Sequence, residues 1–401
     1  MADRASSATG NPEVEPNRTE IKDPSRIIVT AKYDWSKLGR GKHIELSRGE
    51  TLPLQFGEHL GRGSTSDVHE ATCNGLRIAV KRRYLSRQAV DIASFKKEMQ
   101  ILERASEHHH IVKIIGSFVQ ARTVGILLWP VAGCDLGVFL DDLDTLQPQT
   151  TRSYYYPGHR KYKRSFISLH SDDLFLRFCD IHAITPDSDG IFEYNIDPAF
   201  DLLSSSFGCI ASALAFLHGQ GIKHKDLKPS NILLTTRERG TLYLTDFGSS
   251  TDSSQVTSSM TESGIRGTPR YFAPEVANYE PSGRSADIFS LGCIYVEMLY
   301  VYSLLPLKHL YARQTLRDHS FHANLESVIG GLTDVLLRYP LLSNREQLFS
   351  DLVLQMLKVD HHDRPSALEI LDTLRSDIAA KDDDVFGRLI GSCCKRMEIL
   401  A

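Results

Sequence analysis

The chain has 401 residues, 41% of them hydrophobic and 24% charged, and its 46 Lys and Arg against 50 Asp and Glu leave a net charge of −4. That balance gives no electrostatic footprint for nucleic acid or anionic lipid, and the length allows either one large two-lobed domain or two to three smaller ones. Seven Cys with no CxxC pair, behind an N-terminus without an apolar signal core, predict reduced thiols. The expected location is the cytosol, with the nucleus as a second compartment.

Residues 1–25 are rich in Ser, Asn, Pro, Glu and Arg and are expected to be disordered, and 26–54 reads as an N-terminal extension. From Phe56 to Lys81 short β-type runs flank Asn74-Gly75, a hairpin signal. Phe95, Met99 and Leu102 then recur at helical spacing with Glu98 among them, followed by the strand-like runs KIIGSFV and VGILLW. Beyond Leu140, about 55 residues without stable periodicity read as an insertion at about 141–198. Leu203, Phe207, Ile210, Leu214 and Leu217 restore a helical face, and two more helices carry Ile288, Leu291, Tyr295 and Met298, then Leu348, Leu352 and Met356. The most apolar stretch, Ile288 to Leu307, contains Glu297 and Pro306, which predicts a buried helix and not a membrane span. Residues 377–401 form a C-terminal tail, and no repeat of 20 to 50 residues is present.

The strongest chemical signal is HKDLKPSN at 224–231, followed after one β-type run by TDFG at 245–248. Two acids and an amide in one neighbourhood can hold a divalent metal through hard oxygens and leave one carboxylate as a base. Upstream, LGRGSTSDV puts Gly61 and Gly63 between two strands, where backbone can approach phosphate. IAVK places Lys81 on a strand, and Glu98 on the next helix faces the sheet, a pairing that would fix the ammonium against a phosphate.

In this order the Gly-rich loop, AVK, helix Glu, HxDxKxxN, DFG, APE and a late Arg resemble the protein kinase superfamily, over about residues 55–376. The resemblance implies an α+β fold of two lobes, a β-rich N-lobe at about 55–130 and a mainly helical C-lobe at about 132–376. It implies phosphoryl transfer from ATP with Mg²⁺ to a protein, for which positioned groups and charge neutralisation suffice. Asp226 would serve as catalytic base and Lys228 would neutralise the transferring group. Asn231 and Asp246 would ligate Mg²⁺, and Lys81 held by Glu98 would contact the α and β phosphates. ATP would lie against Leu60, Gly61, Gly63, Ser66, Val68, Ala79 and Leu233, with Leu128 as gatekeeper, the backbone of Trp129 and Val131 at the adenine edge, and Asp135 near the ribose. His224 and Phe247, with Leu102, match a stacked column linking the lobes. Glu275 and Arg364 match a buried pair, and Asp287 a brace for the catalytic loop. Lys228 and GTPRYFAPE, with Thr268, resemble Ser/Thr kinases with an HKD-type loop, so the implied partner is a protein substrate presenting Ser or Thr. The alternative is a nucleotide-binding pseudokinase scaffold.

Two departures stand out. Ser66 replaces the third glycine of the loop, and Lys225 stands where many kinases controlled by loop phosphorylation have Arg, whose fork clamps phosphate in a way an ammonium does not. The following loop carries Ser249, Ser250, Thr251, Thr257, Ser258, Ser259, Thr261 and Ser263, which fits either a switch or a hydroxyl-rich mobile loop. His108, His109 and His110 fit the turn after a helix; consecutive residues cannot all face one ion, and no second ligand cluster has zinc spacing. Arg160, Lys161, Lys163 and Arg164 fit an import signal, a docking patch or a solvated insertion, and Cys393 and Cys394 beside Lys395 are candidates for acylation.

Overall fold

Asn74 and Gly75 both take the left-handed conformation, with φ of 51° and 78°. This is the geometry of a tight hairpin turn whose twist matches the flanking strands, here β3 (Ser66–Cys73) and β4 (Leu76–Tyr84). Around this hairpin stands a six-stranded sheet in the order β1-β5-β6-β4-β3-β2, where β1 is His43–Leu46, β2 Gln55–Arg62, β5 Lys113–Gln120 and β6 Thr123–Trp129. The computed structural model describes residues 34–63, 66–85, 89–146, 161–165, 191–195, 197–235, 241–252, 267–303, 305–315, 317–338, 344–376 and 389–394. The expected disorder of 1–25, Arg160, and the hydroxyls of Thr257, Ser258, Ser259, Thr261 and Ser263 lie outside them.

The β-rich lobe begins upstream of residue 55. Strand β1 pairs parallel with β5, His43 opposite Ser117, and Trp35 is 1% exposed in a core with Ile44, Leu46, Ile78, Val80, Ile115, Phe118 and Leu127. Gly116 is what admits the indole, since a Cβ there would lie 2.3 Å from the Trp35 ring. A four-residue strand and one tryptophan among polar neighbours carry too little periodic signal to mark a domain edge, so the segment at 26–54 that reads as an extension supplies part of the lobe. Helix α1 (Ala89–Ala105) buries Phe95, Met99 and Leu102 against the larger core.

In the helical lobe, α2 is Leu136–Leu146, α3 Asp197–Gly219, α4 Pro274–Ala277 and α5 Ser285–Tyr302. Leu203, Phe207, Ile210, Leu214 and Leu217 of α3 are all at most 1% exposed, as their spacing requires. Within α3, Ala199–Gly219 is long and apolar enough to cross a membrane, yet 72% of its apolar window is buried inside the fold, which accounts for its composition. Helix α2 runs past residue 141, with Leu136, Phe139, Leu140 and Leu143 buried. The insertion also contains an antiparallel pair, β8 (Lys161–Ser165) and β9 (Ile191–Asn195). The tail is docked at 389–394: Ile390 is fully buried, and the Gly208 amide of α3 donates to the Leu389 carbonyl at 2.7 Å.

The lobes meet where β6 runs on through Val131 to β7 (Cys134–Asp135), the edge of a three-stranded sheet with β11 (Ile232–Leu234) and β12 (Leu242–Leu244). Gly133 N donates to Leu234 O at 2.9 Å and Val112 N to Leu244 O at 3.1 Å. The residues that carry chemistry lie on both sides of this junction.

Candidate active site

Strand β4 carries Lys81 next to Val80, and the alternation of a strand sends Val80 into the core and Lys81 out of the opposite face. Its ammonium lies 2.9 Å from Glu98 Oε1 on α1 and 2.7 Å from Asp246 Oδ1. Burial works against charge on Lys81, but Glu98 and Asp246 outweigh it and hold the ammonium above its ordinary pKa. For Asp246 burial works against ionisation, and Lys81 reverses this and keeps the carboxyl below its ordinary value. Asp246 sits at φ 62°, a left-handed turn that aims its carboxylate back toward Lys81, and Gly248 N donates to the same oxygen at 3.4 Å.

A second cluster forms on the segment that follows β10 (Ile222–Lys223). Asp226 Oδ2 is 2.9 Å from Lys228 Nζ, and Asn231 Nδ2 donates to Asp226 O at 2.8 Å and to Oδ2 at 3.2 Å. The Thr268 hydroxyl closes the ring, donating to Asp226 Oδ1 at 2.8 Å and accepting from Lys228 Nζ at 2.8 Å. Thr245 N donates to Asn231 O at 3.0 Å, which ties this loop to the segment bearing Asp246. With Nδ2 committed to Asp226, Asn231 offers its amide oxygen, and Asp246 keeps Oδ2 beyond Lys81. These are hard oxygens of the type that suits a small divalent cation.

The loop is held from behind by Asp287 at the start of α5. Its Oδ2 accepts from His224 N at 2.8 Å and faces His218 Nε2 at 3.0 Å, and its Oδ1 accepts from Lys225 N at 2.8 Å. Burial opposes its charge, and the His218 contact with these donors more than offsets that, so its carboxyl stays below its ordinary value. His224 Nε2 meets Thr245 O at 3.0 Å, and its ring lies 5.2 Å from that of Phe247. Ser250 Oγ donates to His224 O at 3.1 Å, so this hydroxyl, 4% exposed, is spent on structure.

The apolar positions assigned to a nucleotide fall on facing strands. Ala79 is opposite Leu128, Val68 opposite Lys81, Gly61 opposite Val68, and Leu233 on β11 opposite Asp135. Val68, Ala79, Trp129, Val131 and Leu233 remain half-buried, while Leu60 is exposed at the tip of β2. Gly63 N donates to Ser66 O at 2.7 Å, and a Cβ at Gly63 would lie 2.9 Å from Ser66 Oγ, so the glycine leaves room for the Ser66 hydroxyl as it stands. Asp135 Oδ1 accepts from Val138 N at 3.0 Å and so caps α2.

Glu275 and Arg364 form a buried, two-pronged pair with both N···O distances 2.8 Å. Sequence reasoning missed three participants: Thr268 as the bridge between Asp226 and Lys228, His218 against Asp287, and a buried triad in which Glu297 accepts from Tyr271 Oη at 3.0 Å and from Arg270 Nη2 at 3.3 Å. Glu297 within an apolar helix was the one visible signal, because a buried carboxylate requires partners.

A sequence model of the family described as protein kinase domain matches residues 196–374. Mitogen-activated protein kinase kinase kinase A of Dictyostelium discoideum is 30% identical over 273 residues, 66% of this chain and 23% of that protein. Serine/threonine-protein kinase Sgk1 of Homo sapiens is 43% identical over 106 residues, 26% of this chain and 22% of that protein. Cytokinesis protein sepH of Aspergillus niger is 31% identical over 184 residues, 44% of this chain and 12% of that protein. The chain thus spans less than a quarter of the length of these relatives.

Proposed function

We propose that this chain is a protein kinase, a reading supported by its similarity to the protein kinase domain over residues 196–374, and that it transfers the γ-phosphoryl group of ATP to Ser or Thr hydroxyls of a protein substrate, with Mg²⁺ as the metal. The observation that carries this reading is the ring around Asp226, whose carboxylate is met by Lys228, Asn231 and Thr268 within 3.2 Å. These contacts fix one carboxylate in orientation, as a group that must accept a hydroxyl proton in line requires.

Asp226 takes the proton of the incoming hydroxyl. Lys228 places its ammonium beside the oxygens of the group in transfer, and Lys81, positioned by Glu98, binds the α and β phosphates. Asn231 and Asp246 would hold Mg²⁺, which when bound would offset the charge of the phosphate oxygens. Val68, Ala79, Leu128 and Leu233 supply the apolar walls for the purine, and the backbone at Trp129 and Val131 its polar edge. Thr268 lies beside both groups, and its hydroxyl ties Asp226 Oδ1 to the Lys228 ammonium that already meets Asp226 Oδ2. The scaffold alternative has less support, since Lys81, Glu98, Asp226, Asn231 and Asp246 are all present and mutually arranged.

The test is incubation of the purified chain with γ-labelled ATP, Mg²⁺ and a generic protein substrate, followed by phosphoamino-acid analysis. Label on Ser or Thr is the expected result. Label on Tyr alone, or ATP binding with no transfer at any substrate concentration, contradicts the proposal.

A further inference from the structure

Where the loop after α1, helix α3 and the C-terminal tail meet, five metal-ligating side chains converge that the phosphoryl-transfer site does not use. The ring nitrogens of His109 and His110 and the sulfurs of Cys393 and Cys394 all lie within 4.8 Å of one another. His110 Nε2 is 3.2 Å from Cys393 Sγ across 283 positions of sequence, and His109 Nε2 is 3.5 Å from Cys394 Sγ. Cys209 of α3 stands behind them, its sulfur 3.6 Å from that of Cys393 and 3.9 Å from that of Cys394. We propose that His109, His110, Cys393 and Cys394 bind a zinc ion, which fastens the C-terminal tail to the loop after α1, with the Cys209 thiol packed behind the ligating sulfurs.

The two nitrogen–sulfur separations, 3.2 and 3.5 Å, are close to those the ion requires. Zinc bonds of about 2.3 Å to sulfur and about 2.0–2.1 Å to nitrogen, at tetrahedral angles, put ligand atoms roughly 3.3–3.8 Å apart. The orientation of His110 fits as well: its Nδ1 donates to Leu242 O at 2.8 Å, so in the neutral ring the lone pair is on Nε2, which faces the sulfurs. A carbonyl behind a histidine in this way is the usual support for a metal-ligating imidazole. Two glycines make the approach possible, because a Cβ on Gly208 would lie 2.2 Å from Ile390 and one on Gly391 would lie 2.8 Å from Cys393 Sγ. Cys393 is exposed and gives the ion a path in.

A disulfide explains less. The Cys209 sulfur is 3.6 Å from that of Cys393 and 3.9 Å from that of Cys394, against about 2.05 Å for a bond, and a disulfide would leave two imidazoles aimed at sulfur without a purpose. The expectation that His108, His109 and His110 cannot all face one ion holds, since His108 turns away to Ser212 Oγ at 3.1 Å. Its two neighbours both face sulfur, and the second ligand pair comes from the tail, at a distance in sequence that no zinc spacing rule covers. The tie also has a mechanical reach: His110 O accepts from Leu244 N at 2.8 Å, two residues before Asp246.

The test is the metal content of the full chain, purified without chelator, by inductively coupled plasma mass spectrometry. The expected result is one zinc ion per chain, lost in a Cys393→Ser/Cys394→Ser variant that keeps its far-ultraviolet circular dichroism. Cobalt in place of zinc should give the strong visible bands and thiolate charge-transfer absorption of a tetrahedral site, absent from the variant. Should the double variant fail to fold, Cys393→Ser alone, at an exposed position, is expected to release zinc to a chelator at least tenfold more readily. Zinc content no higher than in the double variant, or equal zinc retention by Cys393→Ser, overturns the proposal. So does a thiol count two short of the reduced value in denatured protein, which would identify a disulfide.

Discussion

The Lys81 ammonium and the Asp246 carboxylate, 165 positions apart in sequence, meet at 2.7 Å, and Glu98 meets the same ammonium at 2.9 Å. One cation is thus shared between a strand, a helix and the loop after β12. Its position depends on two carboxylates, and removing one leaves the other to pull it aside. Glu98→Gln keeps the shape and removes the charge. A hydrogen bond between charged groups contributes about 1.5–3 kcal/mol, and each 1.36 kcal/mol is tenfold, so turnover relative to KM for ATP should fall about 10- to 100-fold while the melting temperature changes little. Steady-state kinetics at varied ATP reads this directly, and unchanged kinetics would remove Glu98 from the site.

The Glu275–Arg364 pair is fully desolvated, with side-chain exposures of 5% and 0%. Removing one member of such a pair strands a buried charge and costs about 3–5 kcal/mol. Arg364→Leu is expected to lower the denaturation midpoint accordingly, and the double variant Arg364→Leu/Glu275→Leu to recover part of the loss. A single variant as stable as the double would show that the pair is not coupled.

Burial pushes the Glu297 carboxyl up to about 7 from its ordinary 4.5, against the pull of Arg270 and Tyr271. Below about 4.5 both folded and unfolded forms hold the proton. Between about 4.5 and about 7 the unfolded chain releases it first, so this group subtracts stability as pH rises, on the order of 3 kcal/mol over the window. Glu297→Gln removes the titration and keeps an acceptor for Tyr271. The stability of the native chain relative to this variant should therefore decline from pH 5 to pH 7 in thermal melts, and a difference that is flat with pH would contradict the assignment.

Lys225 sits at φ 67° and its amide is fixed by Asp287, so the backbone of the loop bearing Asp226 is braced by Asp287 independently of any phosphate. An ammonium in place of a guanidinium lacks the fork that clamps a phosphate. Phosphatase-treated protein is expected to retain measurable turnover, and its complete loss, restored by rephosphorylation, would show strict dependence on loop phosphorylation.

The motifs HKDLKPSN and TDFG place Asp226, Lys228, Asn231 and Asp246 in one neighbourhood because each lies within a few residues of a tight turn, where spacing along the chain fixes spacing in space. Lys81 and Glu98 were legible for a related reason, since strand alternation and helix period decide which way each points. Contacts made across the fold carry no such trace. Trp35 on Gly116, His218 against Asp287, Thr268 between Asp226 and Lys228, and the cysteines of the tail beside His109 and His110 are set by how distant segments pack. The start of the β-rich lobe was misplaced for the same reason, because β1 finds its partner β5 about 70 residues further on.

The most direct measurement is ADP production by the chain and by Asp226→Asn, with ATP affinity determined for both. Loss of a positioned general base is expected to slow turnover by about 10²–10⁴-fold while ATP binds the two proteins equally. Equal turnover by the two proteins, or none by either at saturating ATP and Mg²⁺, would contradict the account of Asp226 as the centre of an active phosphotransferase.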